Sequence, residues 1–532
     1  MTAPWWRRGI LYHIYPRSFM DTNGDGIGDL RGIGARLDYL CELGIDAVWL
    51  SPIYPSPMAD FGYDVEDYTN VDPVFGTLED FDALLAEVHR RGLRLVLDFV
   101  PNHTSDRHPW FRESRASRTS RRRDWYIWRD PAADGTRPNN WLSSFGGSAW
   151  SLDPQTGQYY HHAFLESQPD LNWRNPEVRA AMHSVLRFWL DRGVDGFRVD
   201  VLWHLIKDAQ FRDNPPNPAW RSGDPPHMQQ VMVYSADRPE IHEVVAELRR
   251  IIDQYPERVL IGEIYLPIER LVAYYGADLK GAHLPFNFQL IETAWDARGI
   301  ARMIDQYEAA VPARAWPNWV LGNHDKPRIA TRVGVQQARV AAMLLLTLRG
   351  MPTMYYGDEL GMRNVPIPPQ LVQDRFEKRV PGLGLGRDPC RTPMQWDATP
   401  NAGFTRARPW LPVAEDFPVV NVQAEREDPK SILSLYRALT KLRRVEPALS
   451  TGRYEPVVMT GDLVAYLRTQ GEKRFLVALN LGAEPHAVAY SEAGPHAHVA
   501  LSTHLDRSAE RVTGTLNLRA DEGVIVALHA DG

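Results

Sequence analysis

Cysteine is nearly missing from this 532-residue chain, which holds only Cys41 and Cys390. Two thiols cannot build a disulfide framework, and neither stands in a CxxC or Cys/His zinc spacing, so a reducing compartment fits. Long apolar runs are lacking too. The strongest, Val340 to Leu348, is about half of the ~20 residues that span a bilayer, and it reads as a buried helix. An excess of positive charge is also missing: 60 Lys and Arg against 67 Asp and Glu leave a net charge of −7, which excludes nucleic acid and anionic membrane as main partners. The opening MTAPWWRRG has no apolar segment before Arg7 and Arg8, so no secretory leader is expected and a cytoplasmic location is. There is no solenoid repeat and no low-complexity tract.

What the chain does have is apolar content of 44%, enough for a large core, and many flat amphipathic rings, with 17 Trp and 21 Tyr. Seven β-rich runs alternate with amphipathic helical stretches: Ile10–Tyr15, Ala47–Leu50, Leu93–Val100, Gly196–Val201, Val259–Ile264, Trp319–Gly322 and Thr353–Tyr356. Alternation of this kind predicts a parallel sheet, and units of about 30 to 50 residues suit an eight-stranded βα barrel. Thr77–Arg91 and Pro176–Arg192 carry apolar residues at three and four spacing, with Gly92 and Gly193 as stop signals.

Three stretches break the rhythm, the shortest of them the Pro-rich run from Pro215 to Pro226. The Trp-, Gly- and Pro-rich segment 101–171 is too long for a connection and predicts a subdomain inserted after the third strand. From 451 to 532 helical patterns stop, and short runs such as Leu463–Arg468, Arg474–Leu481 and Gly523–Leu528 predict a C-terminal antiparallel β-sandwich domain. The expected organisation is a (β/α)8 TIM barrel from 1–100 and 172–450, with these two additions. Arg112, Arg115, Arg118 and Arg121, with Arg122 and Arg123, read as a solvated helix face, and Gly382, Gly384 and Gly386 as a loop.

Several strands end in polar residues: Asp98-Phe-Val-Pro-Asn102-His103, Gly196-Phe-Arg198-Val-Asp200, Gly262-Glu263 and Asn323-His324-Asp325. Charged groups that end apolar strands cannot all be core, so they should converge on a wet mouth at the C-terminal face of the barrel. A loop after the first strand, Asp21-Thr-Asn23-Gly-Asp25-Gly-Ile27-Gly-Asp29, alternates oxygen side chains with glycines. It suits a hard cation, Ca²⁺ first and Mg²⁺ second, in a structural role, with Asp21, Asn23, Asp25, Ile27 and Asp29 as the ligand set.

In this order and spacing the four strand-end motifs resemble glycoside hydrolase family 13, the α-amylase superfamily. Asp60-Phe-Gly-Tyr63-Asp, the DxNxDGxGD loop and Arg391-Thr-Pro-Met-Gln-Trp resemble its α-glucosidase and oligo-1,6-glucosidase branch. The resemblance implies retaining hydrolysis of small α-glucosides in an exo-acting pocket, without an organic cofactor, by a monomer or small homo-oligomer. It makes Asp200 the nucleophile, Glu263 the acid/base and Asp325 the third carboxylate. Arg198 would hold Asp200 ionised, while Glu263 needs a raised pKa to stay protonated. His103 and His324 would bond sugar hydroxyls, Asp60 and Arg391 would pair across the pocket floor, and Tyr63 would stack on the glucose. Phe145 and Phe164 would shape the entrance. Val201, after the nucleophile, goes in that branch with α-1,6 cleavage, where Thr or Ala goes with α-1,4. Two rival readings follow: a glucosyl-transferring or isomerising enzyme of the same family, and a non-catalytic scaffold relative, which the full set of Asp200, Glu263 and Asp325 disfavours.

Overall fold

The structure is a computed structural model, and it describes residues 4–457, 460–489 and 497–528. Eight parallel strands form one nearly closed sheet: β1 (Leu11–Ile14), β2 (Ala47–Leu50), β3 (Arg94–Phe99), β4 (Gly196–Val199), β5 (Val259–Gly262), β6 (Leu284–Pro285), β7 (Asn318–Val320) and β8 (Met351–Tyr355). The hydrogen-bonded order is β7-β8-β1-β2-β3-β4-β5-β6. Seven of these match the apolar runs of the sequence. The eighth, β6, is only two residues long and ends in Pro285, too short to carry a period.

Alternation along each strand sorts the side chains into two cores. Leu11, Ala47, Trp49, Val96, Val259, Ile261, Leu284, Val320 and Met351 fill the barrel interior. Their neighbours Tyr12, Val48, Leu50, Leu95, Leu97, Phe197 and Leu260 face the surrounding helices. Residues two further along an inward row stay on that row, so His13, Asp98, Arg198, Asp200 and Glu263 must all rise on the interior side toward the C-terminal end.

The helices start and stop where local chemistry dictates. Leu78–Arg90 opens on a capping box between Thr77 and Asp80 and buries Phe81, Leu84, Leu85 and Val88. Gly92 follows it at φ +74, a left-handed position where a Cβ is disfavoured. Pro176–Asp191 opens with Asn175 as N-cap and Pro176 at its first position, and buries Val178, Met182, Val185, Leu186, Trp189 and Leu190. Val340 to Leu348 lies fully buried in and just beyond the helix Ile329–Thr347.

Between β3 and the helix Pro176–Asp191 runs a segment with a three-stranded antiparallel sheet of Trp128–Arg129, Gln158–His161 and Trp150–Asp153. The arginine run does not form the helix face read from its spacing. The helix Pro109–Ala116 ends before Arg118, and Arg123 is buried with its guanidinium 3.4 Å from the Trp128 ring centre. Stacking on indole, which spacing cannot reveal, decides its place. The chain ends in a five-stranded antiparallel sheet ordered Arg453–Val457, Leu463–Gln470, Lys473–Asn480, Gly523–Leu528, His498–Ser502, with a two-stranded sheet of His486–Ala489 and Thr515–Leu518. Among the described residues no helix is long and apolar enough to cross a membrane, and both cysteines are free.

Candidate active site

At the C-terminal mouth the inward row turns from apolar to charged. Asp98 and Arg198 are register partners on β3 and β4. Arg198 is fully buried, and one of its terminal nitrogens, Nη1, donates to Asp98 Oδ1 at 2.9 Å and to Asp200 Oδ1 at 2.8 Å. The other, Nη2, lies 2.7 Å from Glu263 Oε1. Below them Trp49 supports the group: its indole N–H donates to Asp98 at 3.2 Å, its face lies 5.0 Å from the Arg198 guanidinium, and His13 stacks on it at 3.6 Å. One buried cation therefore gathers three carboxylates from three adjacent strands.

Asp200 and Glu263 bind the two terminal nitrogens of one guanidinium, which makes their carboxyls neighbours. Two carboxyls set side by side in this way can serve as a nucleophile and a proton donor to one bond. Burial is the largest influence on both groups and raises both; each is also raised by other carboxylates, Asp200 chiefly by Glu263 and Glu263 by Asp325, while Arg198 works the other way. Arg198 alone thus does not keep Asp200 low, as the sequence suggested. The two carboxyls titrate as a pair, and the proton they share is held more tightly than by an ordinary carboxylate. Removing the Asp325 charge should make that proton easier to lose. In Asp325→Asn the alkaline limb of kcat/KM, measured on the residual disaccharide hydrolysis, should therefore move to lower pH; an unmoved limb would show that Asp325 does not act on Glu263.

Val201 adopts φ +36 and ψ +47, a left-handed conformation that a β-branched residue rarely takes. The turn aims its backbone N–H at Glu263, donating to Oε2 at 2.8 Å. Strain here serves to fix the second carboxyl.

Asp325 lies opposite, after β7. Burial works to raise its pKa, but His324, Arg387 and Arg391 outweigh it and hold the group well below the usual carboxylate range. His324 Nε2 is 3.3 Å from Asp325 Oδ2, and the His324 ring lies parallel to Tyr63 at 5.3 Å. The Tyr63 hydroxyl donates to Asp98 at 3.0 Å.

The expected pairing of Asp60 with Arg391 is not what the structure holds. Asp60 pairs with Arg387 at 2.6 Å, and Arg387 also binds Asp374 at 2.7 Å and reaches Asp325 at 3.4 Å. Arg391 instead binds Asp325 at 2.9 Å and the His324 carbonyl at 2.7 Å. The two arginines are four residues apart across the short 3-10 turn Asp388–Cys390, which sends them to different acids. Sequence reasoning missed Arg387 because nothing local separates one arginine of that loop from the other.

Gln168 was also missed. It is buried and donates from Nε2 to Asp60 Oδ2 at 3.1 Å. His103 sits beside it, with Nε2 3.1 Å from the Tyr63 carbonyl. Phe164 packs on His103 at 5.3 Å, and Phe145 stacks on Phe376 at 5.0 Å with the Arg387 guanidinium 4.8 Å from its ring. Both phenylalanines thus border the Asp60 and His103 side.

The loop of Asp21, Asn23, Asp25, Ile27 and Asp29 lies apart from these carboxylates. Asp21 accepts the N–H groups of Gly24 and Gly26 at 2.7 and 2.9 Å, and Asp29 caps the helix Leu30–Ala35 through Gly32 N–H at 2.7 Å. Gly26 has φ +90, and a Cβ there would come within 2.1 Å of the Arg408 carbonyl. The side-chain donors are all oxygen, the donor chemistry that a hard cation takes, while Asp29 already accepts from Thr22 and Gly32 on its two oxygens.

Residues 13–452 match the family model described as Alpha-amylase, the alpha amylase catalytic domain. A probable alpha-glucosidase of Rhizobium meliloti is 44% identical over 496 residues, 90% of each chain. An oligo-1,6-glucosidase of Parageobacillus thermoglucosidasius is 39% identical, over 90% of this chain and 91% of that one. Among solved structures, the alpha-glucosyl transfer enzyme XgtA superposes with a TM-score of 0.93 at 40% identity, over 99% of this chain and 100% of its own.

Proposed function

The chain belongs to the α-amylase family and is a glycoside hydrolase; from this we propose that it is a retaining, exo-acting α-glucosidase that releases glucose from the non-reducing end of short α-glucosides. The observation that carries the reading is the single buried Arg198 holding Asp98, Asp200 and Glu263 together. In it Asp200 attacks the anomeric carbon, Glu263 gives its proton to the leaving oxygen, and water later cleaves the glucosyl-enzyme ester with Glu263 as base. Asp325, anionic throughout, faces the positive charge that develops on the sugar ring. The buried group of Asp60, Arg387 and Asp374 closes one wall, which supports a pocket rather than a through-going cleft.

Linkage follows from Val201. A Val side chain offers the leaving sugar no hydroxyl partner, so isomaltose should be hydrolysed clearly, with maltose and trehalose also cleaved and discrimination of only about 1–3 kcal/mol. Val201→Thr keeps the β-branch, and so the backbone strain, and exchanges a methyl for a hydroxyl. The isomaltose-to-maltose rate ratio should move toward maltose. Initial rates on maltose, isomaltose, trehalose and sucrose, side by side, test both statements, and a wild-type enzyme inert toward isomaltose would overturn the linkage reading.

Likeness to a glucosyl-transferring enzyme favours one second reading, in which a sugar hydroxyl intercepts the intermediate in place of water. Product analysis separates them: free glucose for hydrolysis, a longer or rearranged saccharide for transfer.

We also propose that the loop of Asp21, Asn23, Asp25, Ile27 and Asp29 holds a structural Ca²⁺, or Mg²⁺ in its place, with no part in the chemistry. Chelation should lower the melting temperature before it lowers the specific activity of folded protein, and added Ca²⁺ should restore it. Immediate loss of activity at an unchanged melting temperature would refute the structural role.

A further inference from the structure

Lys207 lies outside the catalytic constellation, is 3% exposed, and has its ammonium fully engaged. It donates to Asn102 Oδ1 at 2.7 Å and to the His204 carbonyl at 2.5 Å, and pairs with Asp170 Oδ2 at 2.6 Å. An ammonium can only donate, so the Asn102 atom that faces it must be oxygen. The other end of the amide is then an NH₂ group, which donates to Asp170 Oδ1 at 3.1 Å and reaches His103 Nδ1 at 3.1 Å. An NH₂ group also only donates, so Nδ1 must present a lone pair.

A neutral imidazole has one proton, and it is left with Nε2. The surroundings agree: Nε2 faces the Tyr63 carbonyl at 3.1 Å, which can only accept. One contact runs against this, Gln168 Nε2 at 3.2 Å from His103 Nε2. The Gln168 amide is independently oriented, since its oxygen accepts the Leu165 N–H at 3.1 Å and its nitrogen donates to Asp60 at 3.1 Å, so it requires nothing from the imidazole. A second proton on the ring is opposed chiefly by burial, which lowers the His103 pKa.

We propose that Lys207 is a positioning residue: by fixing the Asn102 amide it fixes the His103 proton on Nε2, so that the pocket wall shared with Asp60 offers a donor beside an acceptor. A sugar hydroxyl that shares this Nε2–H with the Tyr63 carbonyl can donate its own proton to the Asp60 carboxylate. With the proton on Nδ1 the same wall would offer two acceptors to a hydroxyl with one proton. The benefit to substrate rests on the glucosidase reading, whereas the tautomer can be observed in the free enzyme without it.

The test is ¹⁵N NMR of histidine-labelled full-length protein near pH 7, with the His103 signals assigned by their loss in His103→Gln. Wild type should show a protonated Nε2 and a bare Nδ1. In Lys207→Met the Asn102 oxygen loses its partner and the amide keeps only the contact to Asp170, whose charge Lys207 helps to hold, so Nδ1-protonated imidazole should appear and kcat/KM for disaccharides should fall about tenfold, mainly through KM, as for loss of one neutral hydrogen bond. Should Lys207→Met not fold, Asn102→Ala keeps the Lys207–Asp170 pair and should show the same change of tautomer. A bare Nε2 in wild type would overturn the proposal, as would an unchanged His103 spectrum in the folded variants. A correct tautomer series in a protein without glucosidase activity would instead count against the proposed function alone.

Discussion

Asp200→Asn and Glu263→Gln should each lower disaccharide hydrolysis on the order of 10⁴-fold or more while leaving the fold intact. The first removes the nucleophile and the second the proton donor, and neither neighbour can substitute. Arg198 already serves Asp98, so it gains no new function when Asp200 is neutralised. Stability should move the opposite way. Both carboxyls sit where burial and other carboxylates disfavour their charge, so an uncharged isostere costs little and should hold or raise the melting temperature. An aryl α-glucoside, whose leaving group needs little protonation, separates the roles: Glu263→Gln should lose less than Asp200→Asn in the glycosylation step. Near-normal turnover of a disaccharide by either variant would sink the assignment, and equal losses in the glycosylation step would argue against the roles as given.

Arg387→Met should produce the second large loss, about 100- to 1000-fold in kcat/KM for short glucosides together with a lower melting temperature. The guanidinium is buried among Asp60, Asp374 and Asp325, and removing it strands at least two buried carboxylates, a change worth about 3–5 kcal/mol. A double-mutant cycle decides which arginine belongs to Asp60. Asp60→Asn with Arg387→Met should be strongly non-additive, because the pair is in direct contact, while Asp60→Asn with Arg391→Met should couple much less, the two being joined only through Arg387 and Asp325. Coupling to Arg391 and not to Arg387 would restore the pairing drawn from the motif and contradict the structure.

Those two results differ in how visible they were in the sequence. Asp98, Arg198, Asp200 and Glu263 end apolar strands, and a period of two places each on the interior row, so their convergence followed from strand parity. The same parity puts Trp49 beneath them, though an apolar ring in a strand gives no sign that its N–H will hold Asp98. The helix ends before Gly92 and Gly193 were legible because left-handed glycines are local features. The strand Leu284–Pro285 was not, being shorter than one full alternation.

Residue types, their period and the order of the strand-end motifs were enough to specify a βα barrel, its charged mouth, its oxygen-rich loop and the family. Tertiary structure alone decided the partners. Arg387 and Arg391 are the same residue type in one irregular loop, and which of them meets Asp60, more than 300 positions away, depends on the path that the turn Asp388–Cys390 gives the chain. The left-handed Val201, the Gln168 bridge and the buried Lys207 belong to the same class. Each is an ordinary residue whose role arises from a donor or acceptor brought within about 3 Å by another part of the fold, and such distances leave no trace in local spacing.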